Sequence, residues 1–146
     1  MKILMVCLGN ICRSPLAHGI MEKLAKEAGL DWEVDSCGTG NWHVGEQPDR
    51  RSIAIAKKYD LDISGQCCRV FNPKDLDYYD RIYVMDRSNL NDVLAMARTD
   101  EHRKRVSLLL GDEIVPDPYY DNALFDPVYK MIERGCKKII DAELAK

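Results

Sequence analysis

The stretch that most constrains the fold is an apolar run, ILMV at residues 3–6, which leads directly into CLGNICRSP at residues 7–15. A continuous apolar run of this kind is typical of a strand buried on both faces, as in a parallel sheet. Ser14 followed by Pro15 predicts a helix start, with the serine as N-cap and the proline as the first helical residue. Apolar residues then recur at helical spacing at Leu16, Ile20, Leu24 and Ala28. The helix is predicted to stop at Gly29.

The rest of the chain continues to alternate between predicted strands and helices. In chain order these are a strand around Val34, a helix in RRSIAIAKKY (50–59), a short helical piece opened by Asn72-Pro73, a strand in RIYVMD (81–86), a helix in SNLNDVLAMA (88–97), a strand in VSLLL (106–110) and a closing helix with an apolar stripe from Leu124 to Leu144. This alternation predicts an α/β fold, with a parallel sheet and helices on both faces. Ligands bind such sheets beyond the carboxyl ends of the strands. We therefore expect the loops after Ser36 and Asp86 to meet over Cys7, together with the acidic loop that precedes the closing helix.

The length and charge of the chain restrict its class. At 146 residues it fits a single domain, 1–146, which buries about two thirds of the surface that the unfolded chain exposes. Lys and Arg total 21 against 24 Asp and Glu, a formal net charge of −3, so the broad basic field typical of nucleic-acid binding is missing. No apolar run is long enough for a signal peptide or a membrane span. We expect a soluble, cytoplasmic protein that binds neither nucleic acid nor membrane.

The chain has six cysteines at irregular spacing, which are Cys7, Cys12, Cys37, Cys67, Cys68 and Cys136. Without a secretory signal they are expected to be reduced thiols rather than a disulfide framework. There is no C-x-x-C pair, and the three histidines lie far apart in the sequence. We therefore predict no metal site and no cofactor.

The loop between Cys7 and Arg13 has the residue types needed to bind a phosphoryl group. Its five residues can curl so that backbone N–H groups point inward, and the following helix adds the positive end of its dipole. The planar fork of Arg13 matches two phosphoryl oxygens. In this field Cys7 is expected to be a thiolate nucleophile, with Ser14 donating to its sulfur and Asn10 pinning the loop. The alternative is a plain strand-to-helix turn whose cysteines are small buried side chains.

Phosphoryl transfer to sulfur also needs a proton donor for the leaving oxygen. Asp117 in DPYY is the candidate, because the acidic loop follows the last buried strand and opens on the same edge of the sheet. The alternative is that Asp117-Pro118 only starts a turn. The presence of the loop at residues 7–14 favours the interpretation of Asp117 as the general acid.

Four motifs in chain order carry a family resemblance: VCLGNICRSP at 6–15, VDS at 34–36, MDRSNL at 85–90 and DPYY at 117–120. With them the chain resembles the low molecular weight protein tyrosine phosphatases from Lys2 into the last helix. The resemblance implies a four-stranded parallel sheet flanked by helices on both faces, with a phosphate-binding loop after the first strand. It also implies metal-free hydrolysis of phosphotyrosine in proteins, and of small aryl phosphates, through a phosphocysteine intermediate. Phosphate, sulfate or vanadate would then act as inhibitors.

The same resemblance implies a role for individual residues. Cys7 is the nucleophile, Arg13 grips the phosphoryl group, and Asp117 is the general acid and later the base for water. The residues that wall a slot for a flat phenyl ring are Leu8, Trp42 and Tyr119, whose shapes suit that task. The phosphate-binding residues are Leu8, Gly9, Asn10, Ile11, Cys12, Arg13 and Ser14.

Cys12 has two interpretations. It lies five positions after Cys7 in a curled loop, so the two sulfurs could approach within disulfide reach. Cys12 would then capture an oxidised Cys7 as a disulfide and protect it from irreversible oxidation. The alternative is a small buried side chain beneath the loop.

Two positions depart from the family pattern. Gln66, in ISGQCCR, stands where the family has a histidine that supports the loop asparagine, here Asn10. An amide can still donate and accept hydrogen bonds, so we expect the protein to be active. The pH profile of the family is not expected to apply to this chain. His18 stands where the family commonly has glutamate, and we interpret it as a surface variation.

Three alternatives to a tyrosine phosphatase share part of this pattern. Thioredoxin-coupled arsenate reductases have a similar loop but pass oxidation to cysteines several residues apart, whereas Cys67 and Cys68 are adjacent and suit a relay poorly. A silent phosphotyrosine-binding module would lack Cys7 or Asp117. The phosphoarginine phosphatases resemble this chain but carry threonine in place of Ile11.

Overall fold

The computed structural model describes residues 1–146, and a sheet of four parallel strands forms its centre. The strands are β1 (Lys2–Cys7), β2 (Glu33–Gly38), β3 (Arg81–Val84) and β4 (Val106–Leu108). Their order across the sheet is β2-β1-β3-β4, so β1 lies between two neighbours. Every residue of β1 after Lys2 is buried, which explains the uninterrupted apolar run in the sequence.

Six helices cover the two faces of this sheet. They are α1 (Arg13–Glu27), α2 (Arg50–Lys58), α3 (Asp75–Tyr78), α4 (Arg87–Leu94), α5 (Asp100–Arg105) and α6 (Phe125–Leu144), the last preceded by a 3₁₀ turn at Asn122–Leu124. Ile3 and Met5 belong to the apolar cluster formed with α1 and α6, whereas Leu4 and Val6 belong to the cluster formed with α3 and α4. The α/β prediction is therefore confirmed. None of the helices has the length and apolar character needed to cross a membrane.

Helix α1 begins two residues earlier than the sequence predicts. Arg13 is its first residue, and the cap position belongs to Cys12, which makes no side-chain capping bond. The prediction of Ser14 as N-cap is thus wrong, because its hydroxyl is engaged beneath the preceding loop. The predicted stop is correct, since the helix ends at Glu27 and Gly29 follows with a φ of +73°.

Two strands end earlier than predicted, and one helix was not predicted at all. β3 stops at Val84 because Asp86 instead caps α4, accepting a hydrogen bond from the backbone N–H of Asn89. β4 stops at Leu108 rather than at residue 110. Helix α5 has no buried residue, so it lacks the apolar periodicity by which helices are recognised in sequence.

Candidate active site

The loop between β1 and α1 contains an asparagine in a left-handed conformation and lies in close contact with the end of β2. We call residues 7–14 the phosphate loop. Asn10 has a φ of +57°, a left-handed conformation that asparagine tolerates better than most residues. The end of β2 lies directly against the loop, where a Cβ added to Gly38 would sit 2.7 Å from the Leu8 carbonyl oxygen. The backbone N–H groups of Thr39 and Gly40 donate to the carbonyls of Cys7 and Leu8. The loop is thus fixed from one side by the strand next to β1.

A small network of buried side chains meets the Cys7 sulfur. Ser14 Oγ lies 3.0 Å from Cys7 Sγ and accepts a hydrogen bond from Asn10 Nδ2 at 2.8 Å. The same hydroxyl lies 3.3 Å from the Cys37 carbonyl oxygen. Ser14 has only one proton to donate, and a thiolate at Cys7 would receive it over the shorter distance. The predicted roles of Ser14 and Asn10 are therefore compatible with the observed contacts.

Arg13 is buried at the centre of the site with its guanidinium anchored. Its Nη1 donates to Asp86 Oδ2 at 2.6 Å and to the Val115 carbonyl oxygen at 2.9 Å. Burial alone would lower the pKa of Arg13, but the nearby charge of Cys7 and the hydrogen bond to Asp86 outweigh burial and raise it. Arg13 therefore remains charged, with its Nη1 edge occupied by protein groups.

Asp86 is a functional residue that sequence reasoning missed. Asp86 both caps α4 and anchors Arg13, because its Oδ1 accepts from the backbone N–H of Asn89 while its Oδ2 accepts from Arg13. The signal was present in MDRSNL, where an aspartate after a buried strand and three residues before an asparagine fits a helix cap. What the sequence did not reveal was that the second carboxylate oxygen would face the arginine.

The acidic loop, which we call the acid loop (residues 111–121), brings Asp117 over the phosphate loop. The loop is tied to the sheet edge where the Val115 N–H donates to the Met85 carbonyl at 2.7 Å. Asp117 Oδ2 lies 3.9 Å from Arg13 Nη2, and Asp117 Oδ1 accepts from the Tyr119 N–H at 3.1 Å. The Asp117 side chain is 37% exposed, so it remains accessible to a bound substrate.

A cavity of about 300 Å³ opens between the two loops. Its lining residues are Cys7, Leu8, Gly9, Ile11, Cys12, Arg13, Trp42, His43, Asp117, Tyr119 and Tyr120. The structure thus gathers almost all predicted site residues, including the three predicted walls of the phenyl slot. Asn10 and Ser14 do not line the cavity and lie buried beneath the loop. His43 and Tyr120 were not predicted, although each follows a residue that was.

The chain matches a known family along nearly its whole length. A family model described as low molecular weight phosphotyrosine protein phosphatase matches residues 2–146. The chain belongs to this family. It is therefore a phosphatase, as the motifs predicted.

Individual relatives agree with this assignment. The chain is 38% identical to low molecular weight phosphotyrosine protein phosphatase 2 of Drosophila melanogaster, over 95% of this chain and 90% of the relative. It superimposes on the crystal structure of YfkJ from Bacillus subtilis with a TM-score of 0.90 at 34% identity, covering 97% of this chain and 93% of that one. A structure of DARP, a Drosophila arginine phosphatase, gives a TM-score of 0.91 at 33% identity and covers 98% of each chain.

In this phosphatase, Gln66 makes no hydrogen bond to the loop asparagine. Gln66 Nε2 donates to the Pro15 carbonyl at 3.0 Å, and its buried Oε1 has no hydrogen-bond partner. The Asn10 side chain is supported instead by the backbone N–H of Arg69, which donates to Asn10 Oδ1 at 3.1 Å. A backbone donor has no protonation change, so this support is independent of pH.

No protein group at the site is arranged as a metal ligand set, because no three His, Cys, Asp or Glu side chains stand together in a suitable geometry. Arg13 lines the cavity, which also lies at the N-terminal end of α1. These suit an anion directly, with the oxygens of a phosphoryl group accepting hydrogen bonds.

Proposed function

We propose that residues 1–146 form one domain that hydrolyses phosphotyrosine in proteins, and small aryl phosphates, through a phosphocysteine intermediate. The observation that carries the proposal is the convergence of three groups on one cavity: Cys7 and Arg13 from the phosphate loop and Asp117 from the acid loop. A nucleophile, an anion grip and a proton donor are the parts that phosphate-monoester hydrolysis through a covalent intermediate needs.

In the first step, the Cys7 thiolate attacks phosphorus on the side opposite the phenolic oxygen. A sulfur–phosphorus bond forms, and the bond between phosphorus and the phenolic oxygen breaks. The Asp117 carboxyl donates its proton to that oxygen, so the product leaves as neutral tyrosine. Arg13 and the loop N–H groups hold the three equatorial oxygens as charge shifts among them.

In the second step, water takes the place of the phenol and attacks phosphorus. Asp117, now a carboxylate, accepts a proton from this water as the oxygen–phosphorus bond forms. The sulfur–phosphorus bond breaks, and inorganic phosphate leaves while the Cys7 thiolate is restored. Ser14, 3.0 Å from the sulfur, stabilises the thiolate as the leaving group.

The walls of the cavity support an aromatic substrate. Leu8, Trp42 and Tyr119 are partly or largely exposed apolar side chains around the mouth, where they can contact the two faces of a phenyl ring. A phosphoserine side chain has no ring to fill this slot. Phosphate, sulfate and vanadate fit the same anion cradle and should compete with substrate.

The reaction also requires a reduced nucleophile, which supports action in a reducing compartment such as the cytoplasm. All six cysteines are free thiols, and Cys7 and Cys12 form no disulfide even though they lie in the same loop. Free thiols of this kind are typical of reducing compartments.

A phosphoarginine phosphatase is the second candidate function, because a similar structure is that of a Drosophila arginine phosphatase. Ile11 lines the cavity in this chain, and its branched side chain crowds a guanidinium while sparing a planar phenol. We therefore expect phosphotyrosine peptides to be hydrolysed faster than phosphoarginine or phosphoserine peptides. Ile11→Thr should reduce the ratio of kcat/KM for the phosphotyrosine peptide to kcat/KM for the phosphoarginine peptide. A parent protein that prefers phosphoarginine would contradict the proposal, and kcat/KM for the three matched peptides decides.

Arsenate reduction is less well supported. Cys68 is buried, its Sγ is hydrogen bonded to the Asn10 carbonyl, and burial raises the pKa of the Cys68 thiol to about 11. Cys68 also does not line the cavity that contains Cys7, whereas a relay thiol must reach the oxidised sulfur. Arsenate with a thioredoxin system should therefore give no turnover.

A further inference from the structure

The segment that carries the proposed acid is hydrogen bonded to one distant side chain. Within residues 116–121, the hydrogen bonds are local except at Tyr119, whose carbonyl oxygen accepts from Arg51 Nη1 at 2.8 Å. The same nitrogen donates to Asn122 Oδ1 at 2.7 Å, where the segment ends. Arg51 therefore fastens the far side of the acid loop, opposite its attachment at Val115.

The other end of this contact is fixed to the phosphate loop. Arg51 grips Asp49 with two bonds, from Nε to Oδ1 at 3.0 Å and from Nη2 to Oδ2 at 2.9 Å. The Asp49 backbone N–H donates to the Ile11 carbonyl at 2.8 Å, and Ser52 Oγ contacts the Cys12 carbonyl oxygen at 3.4 Å. The beginning of α2 is thus attached to the loop that holds the phosphoryl group.

Charge and ring contacts strengthen this bridge. The hydrogen bond to Arg51 lowers the pKa of Asp49, and the same bond raises the pKa of Arg51, so both groups stay charged across the neutral range. The guanidinium carbon lies 5.3 Å from the centre of the Tyr119 ring and 4.7 Å from that of Phe125, within cation–π distance. Arg51 therefore holds both the backbone and the ring of Tyr119.

Tyr119 connects Arg51 directly to the proposed acid. Its carbonyl accepts from Arg51, while its N–H donates to Asp117 Oδ1. We infer that Arg51 is a positioning residue that sets the distance between the Asp117 carboxyl and the phosphoryl group, an inference that rests on the proposed role of Asp117 as general acid. A displacement of about 1 Å far from the reacting atoms can cost a factor of about 10² in rate.

The test compares kcat/KM for aryl phosphates whose phenols differ in acidity, since kcat/KM reports the step in which the phenol leaves. Arg51→Ala should lose about tenfold on poor leaving groups and much less on good ones, which need little help from an acid. Arg51→Lys keeps the charge but not the fork, and should recover part of the loss. Arg50→Ala is the matched control, because Arg50 is the exposed neighbour in the same helix and its side chain makes no hydrogen bond or ion pair.

Combining the change with Asp117→Asn decides whether Arg51 acts through Asp117. If it does, Arg51→Ala should add almost no further loss in the Asp117→Asn background. Losses that multiply, or an equal loss across leaving groups, would overturn the inference while leaving Asp117 as the acid. If Asp117→Asn by itself shows no dependence on the leaving group, the proposed function fails, and this inference fails with it. If Arg51→Ala does not fold, Arg51→Lys and Asn122→Ala replace it in the test. Both are expected to lower kcat/KM selectively for poor leaving groups, by a smaller factor than Arg51→Ala.

Discussion

The phosphate loop and the acid loop face the same cavity but are built in opposite ways. In the phosphate loop the functional polar residues Asn10, Arg13 and Ser14 are no more than 2% exposed. Each is bonded to at least one other buried group, and leaving such a group unpaired costs about 1–3 kcal/mol. Buried partners therefore hold the polar side chains of this loop in place.

The acid loop lies on the surface and is attached at few points. Asp117, Tyr119 and Tyr120 are exposed, with Tyr120 at 91%. Val115 joins it to the edge of the sheet, and Tyr119 accepts a hydrogen bond from the side chain of Arg51. Two ion pairs add to these contacts, between Glu113 and Arg134 and between Asp117 and Arg13.

The difference follows from what each loop does in the proposed mechanism. The phosphate loop holds a phosphoryl group in both steps, and its donors are most effective if they are fixed before the charge arrives. The acid loop must admit a substrate side chain and release the dephosphorylated product, which requires an open approach. Mutations in the two loops should therefore affect different kinetic quantities.

The largest effect is expected from Cys7→Ser in the phosphate loop. Turnover should fall by at least about 10⁴-fold because the covalent bond to sulfur cannot form. Binding of phosphate or vanadate should remain, since Arg13 and the loop N–H groups are unchanged. Steady-state assays and calorimetric binding measure the two properties, with the exposed Cys67→Ser as the thiol control. Turnover within tenfold of the parent would contradict the assignment of the nucleophile.

The next largest effect is expected from Asp117→Asn in the acid loop. For aryl phosphates with poor leaving groups, kcat/KM should fall by roughly 10² to 10⁴, and far less for good leaving groups. Phosphate binding should change little, in contrast to any variant that disturbs the phosphate loop. Asp112→Asn removes the same charge from an exposed position of the same loop and serves as the control. An equal loss across all leaving groups would remove Asp117 from the role of general acid.

The comparison of the two loops also explains what the sequence could predict. Cys7, Arg13 and Ser14 lie within eight consecutive residues, so their spacing, the preceding apolar strand and the following helix were all visible in one motif. Asp117 could be proposed because parallel strands deliver their following loops to one edge. The alternation of strands and helices predicted the fold class for the same reason.

The groups that hold these residues in place could not be predicted, because they come from distant parts of the chain. Asp86 reaches Arg13 across 73 positions, and Arg51 reaches Tyr119 across 68. Arg69 supports Asn10 through its backbone N–H, so the identity of the side chain at position 69 does not indicate this contact. Such contacts depend on the exact packing of elements, which local patterns do not specify.

The smallest effect is expected from Cys12→Ser, and it should appear after oxidation. Cys12 is buried, and burial, followed by the charges of Asp49 and Cys7, raises the pKa of its thiol to about 12. Cys12 is therefore a thiol at neutral pH. In the proposed mechanism Cys7 reacts as a thiolate, and peroxide converts that thiolate to a sulfenic acid. Cys12 can then attack the oxidised sulfur, forming a disulfide and releasing water.

Mild peroxide followed by dithiothreitol tests this sequence of events, with activity normalised to that of each protein before oxidation. The parent should regain several-fold more activity than Cys12→Ser, and mass spectrometry should show residues 7 and 12 linked before reduction. Because the thiolate fraction of Cys12 rises as the pH approaches its raised pKa, the linked fraction should increase from about pH 7 to about pH 8. Cys67→Ser should behave as the parent does, since its exposed thiol lies outside the cavity. Equal recovery of activity in the parent and in Cys12→Ser, with no link between residues 7 and 12, would contradict this prediction. Cys12 would then be a packing residue that does not protect Cys7 from oxidation.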